Sequence, residues 1–231
     1  MSVVALIPAR NEELRIAETV AAVRMIPDVD RVLVIENGST DRTAQLAREA
    51  GAEVLSSTEA GGKGGALQVG LDAVRDVADA ILLIDADVGE TAREAGALLA
   101  PLLAGDADMT VARLPRPPRS GGFGLVKGLA RWGIRRFGSR EFESAAPLSG
   151  QRGLTRVAWE AATPFAHGWG AEVALTIRTL RAGLRVAEVP LEMAHAHTGR
   201  DASGFMHRGR QLFGVASALA SIAFERRERH V

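Results

Sequence analysis

Ala80–Gly89, which reads AILLIDADVG, decides how this chain is interpreted. Four consecutive large aliphatics, Ile81 to Ile84, describe a strand covered on both faces, as in a parallel sheet. The run ends on Asp85 and Asp87, at the carboxyl end of the strand, where open α/β sheets bind ligands. Residues two apart in an extended segment point the same way, so both carboxylates are expected to aim at one point. Two like charges converging there call for a cation between them. A helix cap at a solvated turn is the plainer reading of a three-residue motif, and the surrounding sequence has to separate the two.

Outward from that strand, the first half alternates short apolar runs with amphipathic ones. Strands are expected at 3–8, 31–36, 53–56, 80–85 and 109–113, and helices at 12–25, 42–50, 64–77 and 91–103. Asn11, and Ser39-Thr40-Asp41, stand where helix caps belong. Such alternation predicts a mostly parallel sheet with helices on both faces. The pattern breaks at Leu114–Gly124, LPRPPRSGGFG, a proline- and glycine-rich loop. A helix at 125–137 is expected next, then segments at 151–155, 156–162, 172–182 and 185–190, and a final helix from 203. The division reads as a nucleotide-binding half, 1–113, and a smaller acceptor-side half, 114–231, within one domain.

Composition excludes several chemistries. The 231 residues contain no cysteine, which removes disulfides, thiolate zinc sites and cysteine nucleophiles. The opening MSVVALIPARNEE reads as a first strand and not as a signal peptide. No apolar run reaches the roughly 20 residues of a spanning helix, and a cytoplasmic location is expected. Leu212–Phe224 carries no charge and has basic flanks. It reads as a helix packed on the domain, with peripheral contact to the inner face of a membrane as the alternative. The net charge is zero, but residues 72–108 are strongly acidic while 113–140 hold eight bases and no acid. A metal-competent acidic rim followed by arginines suits an anionic ligand, and nothing points to nucleic acid.

Four loops should open on one edge of the sheet: Pro8-Ala9-Arg10-Asn11-Glu12-Glu13, Glu36-Asn37-Gly38-Ser39-Thr40-Asp41, Gly61-Gly62-Lys63-Gly64-Gly65 and Asp85-Ala86-Asp87. Lys63 stands between glycine pairs, so backbone can approach a phosphate while the ammonium meets it. The spacing is not that of a Walker A loop, and no strand leads into a G-x-G-x-x-G turn. In order and spacing, the four loops resemble the signature of family 2 glycosyltransferases with the GT-A fold. That resemblance implies a nucleoside-diphosphate sugar donor, UDP-, GDP- or ADP-linked, contacted by Pro8, Ala9, Arg10, Glu12, Glu36, Asn37, Gly38, Lys63, Asp85 and Ala86. It also implies Mg2+ or Mn2+ held by Asp85 and Asp87. Glu36 and Asn37 depart from the residues usual at their positions.

The second half extends the resemblance. Glu188-Val189-Pro190 followed by His195 is similar to a strand whose downstream histidine completes the metal shell, and His197 lies two residues on. Gly168–Glu172 matches the segment where inverting members place a general base, which makes Glu172 the candidate base and Asp87 its catalytic partner through the metal. A first-turn glutamate complementing the helix dipole is the plainer role. Pro147–Arg152 resembles a segment of retaining glucosyl-3-phosphoglycerate synthases, implying that Gln151 and Arg152 touch substrate. The expected activity is metal-dependent transfer of a sugar to an anionic, phosphate-bearing acceptor, either a phosphorylated small acid or a polyprenyl phosphate. A nucleotidyltransferase and a non-catalytic nucleotide-sugar-binding module are the alternatives, and a homodimer is compatible with the expected activity.

Overall fold

A computed structural model describes residues 1–57, 62–115, 124–166, 168–193 and 202–228. Seven strands form one sheet in the order β3-β2-β1-β4-β6-β5-β7. They are β1 (Val3–Ala9), β2 (Arg31–Glu36), β3 (Glu53–Ser56), β4 (Ala80–Leu83), β5 (Met109–Arg113), β6 (Arg152–Thr155) and β7 (Val186–Pro190). The pairs β1–β2, β1–β4, β2–β3 and β5–β7 are parallel, whereas β6 runs antiparallel to both β4 and β5. The sheet is therefore mostly parallel, as expected.

The α-helices are α1 (Ile16–Arg24), α2 (Thr43–Glu49), α3 (Gly62–Val74), α4 (Ala100–Leu103), α5 (Gly124–Gly133), α6 (Arg156–Ala162), α7 (Ala171–Arg181) and α8 (Ala202–Glu228). Two cores lie on opposite faces of the sheet, and strand parity sorts residues between them. Val3, Ala5 and Ile7 of β1, with Ala80 and Leu82 of β4, join Ile16, Val20 and Val23 of α1. Val4, Leu6, Ile81 and Leu83 face Leu67, Leu71 and Val74 of α3 and Trp159 of α6. A third cluster, away from the sheet, joins Val126 and Ala130 of α5 to Val173 and Ile177 of α7 and Val215 and Leu219 of α8.

Three expectations are corrected. Strand β4 stops at Leu83 and Ala86–Asp87 lie in a turn, so strand parity does not orient the two aspartates. The helix expected at 91–103 is a 3₁₀ segment, Gly89–Leu98, followed by the single turn α4. Pro101 has no N–H to donate into a continuous helix, and Gly89 enters with φ +59°. The helix expected at 12–25 starts only at Ile16, because Asn11 adopts φ +56° and the following residues turn.

Helix α8 packs on the domain, as expected for its small residues. A Cβ on Gly170 would lie 2.5 Å from the Gly214 carbonyl oxygen and 2.4 Å from the Ala218 Cβ. Among the described residues no helix is long and apolar enough to cross a membrane.

Candidate active site

The order β3-β2-β1-β4 places successive crossovers on opposite sides of β1, so a crevice opens where β1 and β4 end. The loops after β1 and β4 flank it. The loops after β1 and β2 clasp one another: the Asn11 N–H donates to Ser39 Oγ at 3.1 Å and Glu12 N–H to Thr43 Oγ1 at 2.8 Å. Glu13 N–H donates to Asp41 Oδ2 at 3.1 Å, and Thr40 N–H to Asn11 Oδ1 at 2.9 Å. The Asn11 amide thus satisfies the neighbouring loop and not the helix that follows it, contrary to the capping expectation. Glu36 also turns inward, its Oε1 accepting the Ser39 N–H. Asn37 Nδ2 reaches the Gly62 carbonyl at 3.5 Å. Gly38 takes φ +70° with open space around it, which a turn of this shape favours.

Lys63 lies in the first turn of α3 and not in a glycine loop. Its ammonium is 2.5 Å from Asp85 Oδ1 and 3.1 Å from Glu172 Oε1. Burial alone would lower its proton affinity, but Asp85 and then Glu172 outweigh burial and hold it above the ordinary lysine range. The second Asp85 oxygen, Oδ2, accepts from Gln151 Nε2 at 2.9 Å. Gln151 reaches it because β6 is reversed: its first residue, Arg152, pairs with Leu83, so the residues entering β6 lie at the edge where β4 ends. Gly150 leaves room for this pair: a Cβ there would lie 2.5 Å from Lys63 Nζ and 2.6 Å from Asp85 Oδ2, so either side chain would have to shift.

Arg152 is wholly buried. It donates to the Ser149 carbonyl and to Thr176 Oγ1, each at 2.9 Å. Burial lowers its pKa to about 10 against the opposing pull of Glu172 and Glu188, so it remains a cation at neutral pH. Glu188 in turn accepts from Ser144 Oγ at 2.7 Å, Ala145 N–H at 3.0 Å and Ala146 N–H at 3.1 Å. Charges of alternating sign, Asp85, Lys63, Glu172, Arg152 and Glu188, therefore run from the end of β4 to β7. Glu172 sits in the first turn of α7 with its side chain 9% exposed.

A second group of acids gathers on the β1 side. The Glu12 carboxyl is pushed up to about 7 by burial first, then by Asp87, Asp41 and Asp85. Asp41, bonded to the Thr43 hydroxyl and backbone N–H, is held below its ordinary value. Carboxylates gathered in this way suit a hard divalent cation with oxygen ligands. Among the described residues no group of three or more acidic or histidine side chains has the geometry of a complete metal site. Two carboxylates and substrate phosphates are the usual shell for such an ion. His195 and His197 lie outside the described residues, as does the stretch 116–123 of the basic segment.

Two contributors escaped the sequence reading. Thr19 of α1, fully buried, donates to the Ala86 carbonyl at 2.8 Å and accepts from the Gly89 N–H at 2.9 Å. It staples both ends of the turn that carries Asp87. A hydroxyl within the apolar stripe Ile16, Val20, Val23 was the signal. Gly150 is the other, and nothing local marks it. Of the basic segment, Arg135 pairs with Glu143 at 3.6 Å and Arg136 lies 5.4 Å from the Phe137 ring, while Arg131 donates to the Ser144 and Ala145 carbonyls. The contacts of these three arginines all lie away from the crevice residues.

A doubly covered α/β sheet with carboxylates and a lysine gathered at its switch point is the architecture of an α/β protein that binds its ligand at that crevice. The model of the Glycosyl transferase family 2 matches residues 4–153, and the chain belongs to that family. Glucosyl-3-phosphoglycerate synthase of Mycobacterium tuberculosis is 31% identical over 226 residues, covering 87% of this chain and 69% of that protein. Glycosyltransferase AglJ of Haloferax volcanii is 31% identical over 195 residues, covering 80% of this chain and 60% of that protein. A crystal structure of the mycobacterial synthase with Mn2+, UDP-glucose and phosphoglyceric acid superposes with a TM-score of 0.78 at 28% identity. One with Mg2+ and UDP gives 0.80 at 27% identity, and each alignment covers 96% of this chain and 79% of that one.

Proposed function

We propose that this chain transfers a hexosyl group from a UDP-linked donor to a small acceptor bearing a phosphate. The observation that carries the reading is Lys63, held between Asp85 on the donor side and Glu172 on α7. One cation there joins the edge that binds the nucleotide to the helix that faces the acceptor. The related synthases, whose crystals contain UDP-glucose, phosphoglyceric acid and Mn2+, support the donor and acceptor classes. In this reading residues 1–113 bind the donor and 114–231 supply the acceptor side.

Asp87 and Asp85 would hold Mg2+ or Mn2+, which supplies Lewis-acid stabilisation of the departing nucleoside diphosphate. During transfer the acceptor hydroxyl oxygen bonds to the anomeric carbon as the bond from that carbon to the diphosphate oxygen breaks, the electron pair of that bond leaving with the diphosphate, whose oxygen takes up the hydroxyl proton. Lys63 places a fixed positive charge beside the region where negative charge accumulates. Glu172, with little exposure and an ammonium at 3.1 Å, supports a positioning role better than that of a free base. Gln151 fixes the orientation of the Asp85 carboxylate, and Arg152 balances Glu172 from below.

UDP release from UDP-glucose, measured with 3-phosphoglycerate and Mn2+, tests the proposal. Transfer is expected, with Asp87→Ala and Lys63→Met each losing about 100-fold, the order seen when one electrostatic contact to developing charge is removed. Unchanged turnover in Asp87→Ala would remove the metal assignment. Pyrophosphate release from a nucleoside triphosphate and a sugar phosphate would instead support the nucleotidyltransferase reading.

A further inference from the structure

Three arginines whose contacts lie away from the crevice, Arg131, Arg135 and Arg136, belong to a surface of distinct form. Helix α5 is sided: Val126, Ala130 and Gly133, with Ile134 just beyond, are buried against α7 and α8. The opposite side shows Leu125 at 81% exposure and Trp132 at 55%. Seven residues apart, these two lie on one stripe, two helical turns from each other. Arg131, Arg135 and Arg136 are exposed beside them. Large apolar side chains that gain nothing from water are thus interleaved with cations on a convex helix, not sunk in a groove.

We propose that this face of α5 docks on an anionic lipid bilayer. The charge is complementary, because the only acids nearby in sequence, Glu141 and Glu143, are outnumbered, and only Glu143 pairs with one of the arginines. The side-chain types suit the lipid–water boundary, where a tryptophan ring and a leucine enter the headgroup region while guanidinium groups meet phosphates. Helix α8 is a weaker candidate for this contact, since Val215, Ala218, Leu219 and Ile222 are already buried against the domain. The inference goes beyond the transfer reaction and does not depend on it, because the surface needs no acceptor bound.

Co-sedimentation of the full chain with vesicles tests it. Phosphatidylcholine vesicles with about 30% phosphatidylglycerol are expected to bind about tenfold more protein than phosphatidylcholine alone, and 0.5 M NaCl (roughly a 4 Å Debye length) to release it. Leu125→Ser with Trp132→Ser, and separately Arg135→Glu with Arg136→Glu, should each reduce binding about tenfold. Both variants should keep the thermal shift produced by UDP with Mn2+, which shows that they fold and that the donor site is intact. Absence of binding to anionic vesicles, or binding unaltered by either double variant, overturns the proposal. It is also overturned if Phe213→Ser with Phe224→Ser on α8 abolishes binding that the α5 variants retain. Self-association by light scattering that disappears in the Leu125/Trp132 variant, without vesicle binding, would give the face to a second copy of the chain instead.

Discussion

Glu12 shows how a single side chain reports on the charge around it. Its carboxyl titrates near 7 in the folded protein against 4.5 without its neighbours, through burial and then Asp87, Asp41 and Asp85. A raised carboxyl pKa means that the folded state binds the proton more tightly than the unfolded chain does. The stabilisation from that proton is complete below pH 4.5 and is lost as pH rises through 7. Thermal midpoints should therefore fall across this window, and Glu12→Gln should flatten the decline. Added Mg2+ or Mn2+ should flatten it too, by drawing off the carboxylate repulsion. A steeper decline in the Gln variant would contradict the assignment of the shift to Glu12. Removing Lys63 acts in the opposite sense, because it would leave Asp85 and Glu172 facing each other without the ammonium between them.

Thr19 links an element to the site it supports. Its hydroxyl is bonded at both ends of the turn after β4, so Thr19→Val leaves the Ala86 carbonyl and the Gly89 N–H without that partner in a buried setting. A cost of about 2 kcal/mol in unfolding free energy is expected. Affinity for Mn2+ should fall roughly tenfold, as for lost support behind a metal ligand. Thr19→Ser should restore both, and a Val variant with normal metal affinity would show that the turn holds without the staple.

The strands β2, β3 and β5 were legible from sequence to the residue, because short apolar runs between polar ends mark them. What escaped was pairing at a distance. The Lys63–Glu172 contact spans 109 residues, and the loops after β1 and β2 exchange hydrogen bonds that local capping rules assign within each loop. The break at Gly89–Leu98 was hidden because the alanines and leucines of that stretch fit an α-helix as well as a 3₁₀ segment. The room that Gly150 leaves is not visible locally either, since the atoms that occupy it belong to Lys63 and Asp85.

In the molecule as a whole, the two halves of the chain meet in one sheet because β6 and β7 of the second half join the strands of the first. Saturating UDP with Mn2+ should raise the unfolding free energy by about 2.7 kcal/mol at a hundredfold excess over Kd. EDTA should cancel most of that gain if the ion bridges Asp87 and the diphosphate, and an undiminished shift would mean that the nucleotide binds without it. The reversed strand also has an energetic consequence. Gln151 and Arg152 are consecutive, yet one grips Asp85 while the other grips Thr176 on α7, and Lys63 closes the loop by touching both Asp85 and Glu172. Any ligand that draws Asp85 away from the ammonium changes the field at Glu172, and any ligand that engages Glu172 changes it at Asp85. By linkage the two affinities must alter by the same factor in each direction. With the proposed donor site at Asp85 and the proposed acceptor site at Glu172, donor and acceptor occupancy is expected to be coupled, which is checked by measuring each Kd with the other site filled; equal values with the other site empty or filled would remove the coupling.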